Sequence, residues 1–102
     1  MATYQPMVTN EFLRDKREAI LRIAAGHGAS NVRIFGSVVR GQADADSDVD
    51  FLVDLKPGYG LLDHAALLLD LQQLLGREVD VVTARGLRER IRGRVLQEAV
   101  SL

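Results

Sequence analysis

Between Val32 and Asp54 the chain reads VRIFGSVVRGQADADSDVDFLVD. An apolar run, Val32–Phe35, stops at Gly36-Ser37. A polar bend rich in Gly and Asp follows, and Ser47-Asp48-Val49-Asp50 then opens a second apolar run, Phe51-Leu52-Val53. Both runs read as short strands, and this stretch constrains the fold more than any other. Side chains alternate faces along a strand, so Asp48 and Asp50 point the same way. Two carboxylates on one face repel, an arrangement that folds normally avoid. A divalent cation bound through oxygen turns that repulsion into attraction, and magnesium is the usual ion where phosphate completes the shell. Gly36 lacks a Cβ, which lets backbone approach a ligand closely. Ser37 stands where a helix would begin, with free N–H groups and a hydroxyl suited to phosphate oxygens. The stretch therefore predicts a phosphate cradle facing a metal-binding carboxylate pair.

Gly36-Ser37, ten residues, then Asp48-x-Asp50 resembles the signature of the DNA polymerase beta-like nucleotidyltransferases, G-S-x-x-R-G-x-x-x-x-x-S-D-x-D. Arg40-Gly41 and Ser47 also fall in place, so seven positions in fifteen agree. A lone glycine or Asp-x-Asp pair is a weak signal, whereas this combination is specific. The short chain is most similar to the minimal nucleotidyltransferase (MNT) branch, whose members often serve as antitoxins beside HEPN-type toxins. The likeness extends roughly from Glu11 to the end, but only this stretch is specific.

The remaining elements follow from periodicity. Residues 1–9 show no clear period and contain Pro6, which predicts a loose lead-in to a single domain over 10–102. Asn10 is a plausible N-cap for a helix from Glu11 to about Ala25, with Phe12, Leu13, Ile20, Ile23 and Ala24 at helical spacing and Arg14, Asp15, Arg17 and Glu18 in water. Gly26 and Gly28 are candidate C-caps, and His27 between them reads as an exposed loop histidine. After a turn at Lys56-Pro57-Gly58, Leu61–Leu75 holds ten apolar residues in fifteen, too many for one buried stripe. It predicts a helix that is core on one side and interface on another, ended by Gly76. His64 at its start reads as a capping or surface residue. Glu78–Val82 is a third strand, and Arg85–Val100 reads as a closing helix with Leu87, Ile91, Val95 and Ala99 on one face, weakened at Gly93.

The polar groups set the topology. Gly36-Ser37 ends the first strand and Asp48-Asp50 begins the second, so these strands should be antiparallel. The apolar helix looks like a crossover, which makes the second and third strands parallel. Asp80 then lies level with Asp48 and Asp50. The expected fold class is α/β (α+β), a short mixed β-sheet with helices packed on one face, which the resemblance equates with the polymerase beta-like nucleotidyltransferase fold.

Composition excludes other classes. The 102 residues make one modest core, and no cysteine is present for disulfides or thiolate metal sites. No apolar run is long enough to span a bilayer, and a basic-then-apolar leader is lacking, so a cytoplasmic protein is expected. The net charge of −1 conceals an uneven distribution: five Asp fall between Asp44 and Asp54, and five Arg between Arg85 and Arg94. The arginines read as a solvated face or as a contact for triphosphate, an acidic partner or RNA; without interleaved aromatics, a protein partner ranks above nucleic acid.

The resemblance implies nucleotidyl transfer with ATP as donor. Asp48 and Asp50 would bind Mg2+, in a two-ion site, and Asp80 would complete one shell or accept the proton of the attacking hydroxyl. Gly36, Ser37 and Arg40 would hold the phosphates, although Arg40 could instead pair with Asp44 or Asp46. Asp44, Asp46 and Asp54 read as surface residues. The length leaves no room for a further acceptor-gripping domain, so the acceptor should bring its own surface. An Mg-dependent adenylyltransferase that modifies a partner HEPN-type toxin, in a hetero-oligomer with it, heads the expectations. A non-catalytic antitoxin that masks its partner is the rival, and a transferase acting on a small hydroxylated molecule or tRNA is a weaker third.

Overall fold

The structure is a computed structural model that describes residues 10–44 and 47–102, so the lead-in expected over 1–9 lies outside the described residues. Its elements are α1 (Asn10–Asp15), α2 (Arg17–Gly26), β1 (Ala29–Phe35), a single 3₁₀ turn (Gly36–Val38), β2 (Val49–Leu55), α3 (Leu61–Leu75), β3 (Val79–Thr83), α4 (Glu89–Glu98) and β4 (Val100–Ser101). The strands form one sheet in the order β3-β2-β1-β4. As expected, β1 and β2 are antiparallel, with Phe35 opposite Asp50 and Ile34 opposite Phe51. The β2–β3 pair is parallel and sets Asp50 level with Asp80.

Alternation along β2 divides the sheet. Val49, Phe51 and Val53 are buried on one face, where they join Ile34, Val79 and Val81 under Ile20 and Ala24 of α2 and Leu67, Leu71 and Leu75 of α3. Asp50, Leu52 and Asp54 share the opposite face, on which Leu52 is also fully buried. The α3 stripe resolves the excess of leucine: Leu67, Leu71 and Leu75 recur every four residues and point inward, whereas Leu61, Leu62 and Leu69 are exposed. Asp63 receives the Gly60 N–H at 2.9 Å and closes the first turn of α3, and Gly76 ends the helix with a φ of 65°.

Several expectations change. The helix expected over Glu11–Ala25 is two helices, because the Lys16 N–H bonds to the Leu13 carbonyl at 3.1 Å in a tighter turn. The N-cap expected at Asn10 rests on a side chain outside those described; α1 itself begins at Asn10. His27 is not an exposed loop residue: its Nε2 meets Asp70 Oδ2 at 2.6 Å, tying the end of α2 to α3. His64 neither caps α3 nor faces only water, because its ring nitrogen bonds the Val81 carbonyl of β3. Asp54 pairs with Arg33 at 2.9 Å across β1 and β2. The closing helix is shorter than the expected Arg85–Val100. Residues 85–88 precede it, and Val100–Ser101 leave it to pair antiparallel with Arg33 and Ile34. An open edge of β1 offers backbone partners that a short terminal segment can take, and two residues carry no readable period.

The two sides of α3 give a direct test. Leu71→Ala should lower the free energy of unfolding by about 2–5 kcal/mol, as large-to-small changes in cores do. Leu69→Ala, at 62% exposure, should stay within about 0.5 kcal/mol of the parent in urea titrations.

Candidate active site

β1 delivers Gly36 to the mouth of β2. Gly36 is buried and has a φ of 79°, a conformation open to glycine and strained for other residues. A Cβ placed on it would run into Oδ2 of Asp50, so the backbone of the turn rests directly against that carboxylate. The half-buried Ser37 follows, and its carbonyl receives the Gln42 N–H at 2.9 Å as the chain turns back. Ala43 is buried and anchors the returning loop. Asp44 and Ser47 close it, the Ser47 hydroxyl accepting the Asp44 N–H at 2.8 Å and lying 3.0 Å from the Asp44 carboxylate. Asp46 lies outside the described residues.

Strand pairing assembles the acids. Asp50 and Asp80 are register partners on neighbouring parallel strands, and Asp48 precedes Asp50 by two residues, just before β2. Asp48 and Asp80 are exposed, and Asp50 is half-buried. The Asp50 carboxyl is pushed up to about 6, first by burial and then by the charges of Asp80 and Asp48. Asp80 and Asp48 are thus near enough for their charges to act on Asp50. Among the described residues, however, no three His, Cys, Asp or Glu side chains are grouped closely enough to hold a metal ion as they stand. The residues fit a hard divalent cation in the kind of donor and in the repulsion it would relieve; a closed shell would require the carboxylates to be drawn together.

Arg40 is exposed and bonded elsewhere than expected. Its Nη1 donates to Glu98 Oε1 at 2.7 Å and its Nε to Gln42 Oε1 at 3.0 Å. Glu98 also accepts the Gly36 N–H at 3.1 Å through its other oxygen. The hydrogen bond from Arg40 holds the Glu98 carboxyl below the usual carboxylate range, while Glu98 itself adds to the upward push on Asp50. The motif pattern did not single out Glu98. One signal was present: an acid in the last turn of a helix opposes the macrodipole, which calls for a compensating partner outside that helix. The arginines from Arg85 to Arg94 are all exposed, so the structure brings none of them into the carboxylate cluster as a buried member.

A glycine turn is thus set against an acidic pair at the mouth of a mixed sheet backed by α2 and α3. The nucleotidyltransferase domain model matches residues 13–102, and the chain belongs to that family. A protein of Methanocaldococcus jannaschii, named as a candidate protein adenylyltransferase, is 36% identical over 90 residues, covering 88% of this chain and 97% of that one. The protein adenylyltransferase MntA of Thermococcus cleftensis is 44% identical over 73 residues, covering 72% of this chain and 74% of that protein. A solved structure described as a minimal nucleotidyltransferase superposes with a TM-score of 0.83 at 54% identity, covering 93% of this chain and 97% of that chain. At 20% identity, a crystal structure of a toxin–antitoxin with AMP-PNP shares the fold, with a TM-score of 0.71 over 82% of this chain and 69% of that chain.

The raised Asp50 carboxyl has a measurable consequence. A folded state that binds the proton more tightly than the unfolded chain loses stability as pH rises from 3.8 toward about 6, and the loss is constant above that. Asp50→Asn removes the ionisation. Its melting temperature should therefore exceed the parent's at neutral pH, by a few degrees on the scale typical of small domains. The difference should shrink as pH falls through about 6 and disappear near 3.8. A gain that is independent of pH would contradict this account of the cluster.

Proposed function

We propose that this nucleotidyltransferase moves AMP from ATP to a hydroxyl group of a partner protein, and that it thereby neutralises a toxin of HEPN type in the cytoplasm. The observation that carries the reading is the contact of the Gly36 turn with Asp50, which brings a backbone suited to phosphate against the acids of β2 and β3. The protein adenylyltransferase names of its relatives support a protein acceptor, and the shared fold of the toxin–antitoxin structure is compatible with a toxin as that acceptor.

In this reaction the acceptor oxygen attacks the α-phosphorus of ATP, the bond from that phosphorus to the β-bridging oxygen breaks, and diphosphate leaves with the bonding pair. The backbone N–H of Ser37, with the Ser37 hydroxyl, receives the outer phosphates. Asp80, exposed beside Asp50, accepts the proton of the acceptor hydroxyl. Asp48, Asp50 and Asp80 would hold Mg2+, which would supply charge neutralisation for the triphosphate when bound.

A masking antitoxin is the second reading, favoured by Leu61, Leu62 and Leu69, which stand exposed on α3 and could bury a partner without chemistry. Co-expression with the partner, followed by intact-mass measurement, distinguishes the two. The parent should add one or more AMP masses to the partner and suppress its toxicity. Asp50→Asn should co-purify with the partner, add no mass and lose protection. Full protection by Asp50→Asn at matched expression would leave masking in place of transfer.

A further inference from the structure

Glu98 stands outside the acidic motif, yet its carboxylate meets both ends of the turn that carries Ser37. One oxygen accepts the Gly36 N–H at 3.1 Å, and the other accepts from Arg40 Nη1 at 2.7 Å. Those two residues are already joined by the Arg40 N–H to the Gly36 carbonyl at 3.1 Å. Glu98 therefore closes a loop of contacts around Gly36–Arg40, and its own side chain is only 18% exposed.

The backbone on which Glu98 sits is also fixed. It is the last residue of α4, and after Ala99 the chain runs straight into β4, where Val100 pairs with Ile34, two residues before Gly36. The Leu102 N–H bonds the Val32 carbonyl at 3.1 Å, and Arg17 Nε bonds the Leu102 carbonyl at 2.9 Å. The terminal strand thus transmits the position of β1 to the carboxylate, and the carboxylate transmits it to the turn. Because Gly36 is in contact distance of Asp50, a small shift of the turn changes the gap in which phosphate and acid must meet.

We propose that Glu98 is a positioning residue for nucleotide binding, bracing the Gly36–Arg40 turn against β2 through the C-terminal strand. The inference rests on the nucleotide-binding reading above. It runs against the simplest electrostatic expectation: a carboxylate beside a polyphosphate site should weaken binding, so its removal should tighten binding if charge alone mattered. Bracing requires the opposite sign.

The test uses the full chain with Mg2+ and a non-hydrolysable ATP analogue as the probe. Calorimetric titration gives its affinity, and hydrogen exchange of the turn amides reports the brace without any nucleotide. Glu98→Gln keeps the size and loses the charge that holds Arg40; Glu98→Asp keeps the charge and shortens the reach. Glu89→Gln makes the same charge change at the exposed far end of α4. Both Glu98 variants should speed exchange at residues 36–40, leave β2 protected, and weaken analogue binding by roughly tenfold, the scale of one charge-assisted hydrogen bond. Glu89→Gln should do neither. Tighter binding by Glu98→Gln, or parent-like binding by both Glu98 variants despite a loosened turn, would overturn the proposal, as would unaltered exchange. A parent that exchanges slowly at the turn but fails to bind the analogue would overturn it at the level of the nucleotide reading instead. Should Glu98→Gln fail to fold, the charge-preserving Glu98→Asp decides by the same two measurements.

Discussion

Like charges at the start of two neighbouring strands are the constraint around which this small domain is built. Parallel pairing sets Asp50 beside Asp80, Asp48 lies close before them, and part of the cluster is shielded from water. Isolated carboxylates in such a position resist ionisation, which is why Asp50 holds its proton to about 6. A fold could relieve the repulsion with a buried arginine. Here Arg40, whose charge pulls the Asp50 carboxyl down, is hydrogen-bonded to Glu98 and Gln42, and burial with the neighbouring acids outweighs it. The uncompensated charge stands at the mouth of the sheet, beside the Gly36 turn.

Stability and chemistry are separated by the pleat of one strand. Val49, Phe51 and Val53 carry the core under α2 and α3, while Asp50 and Asp54 lie on the other side with the buried Leu52 between them. Alternation lets seven residues serve both purposes, because neighbours in a strand never compete for the same face. A slip of one residue would bury the acids and expose the core, so the hydrophobic pattern that stabilises the sheet also fixes the register of the site. The Gly36 turn depends on that register, since it can touch Asp50 only while Phe35 stays opposite it.

The likeness to minimal nucleotidyltransferases accords with this economy. Helices α2 and α3 back one face of the sheet, while Leu52 is buried on the face that carries Asp50. The exposed leucines of α3 belong to a different surface from Asp50, and the arginines of α4 add a further exposed feature.

Much of the architecture was legible in the residues because it rests on local rules. A crossover of apolar helix made β2 and β3 parallel, and the level position of Asp80 with Asp50 followed; Asp48 lies just before β2, outside the strand whose alternation was to align it with Asp50. The bounds of α3 were readable from its run of leucines and from Gly76, but which leucines face inward was not, since ten apolar residues exceed any single stripe. The contacts of His27 and His64 were not readable, because their partners lie 43 and 17 residues away and no spacing rule reaches that far. Asp54 is at the surface as expected, but its pairing with Arg33, 21 residues away, was equally out of reach. The same holds for Glu98, whose partners Gly36 and Arg40 are brought to it only when β4 closes on the edge of β1. The sequence by itself determined the motif and the antiparallel and parallel pairing of its strands, since these follow from periodicity and residue type. Only the tertiary structure decided which donors and acceptors meet, because hydrogen bonds between distant residues depend on how the ends of the chain are brought together.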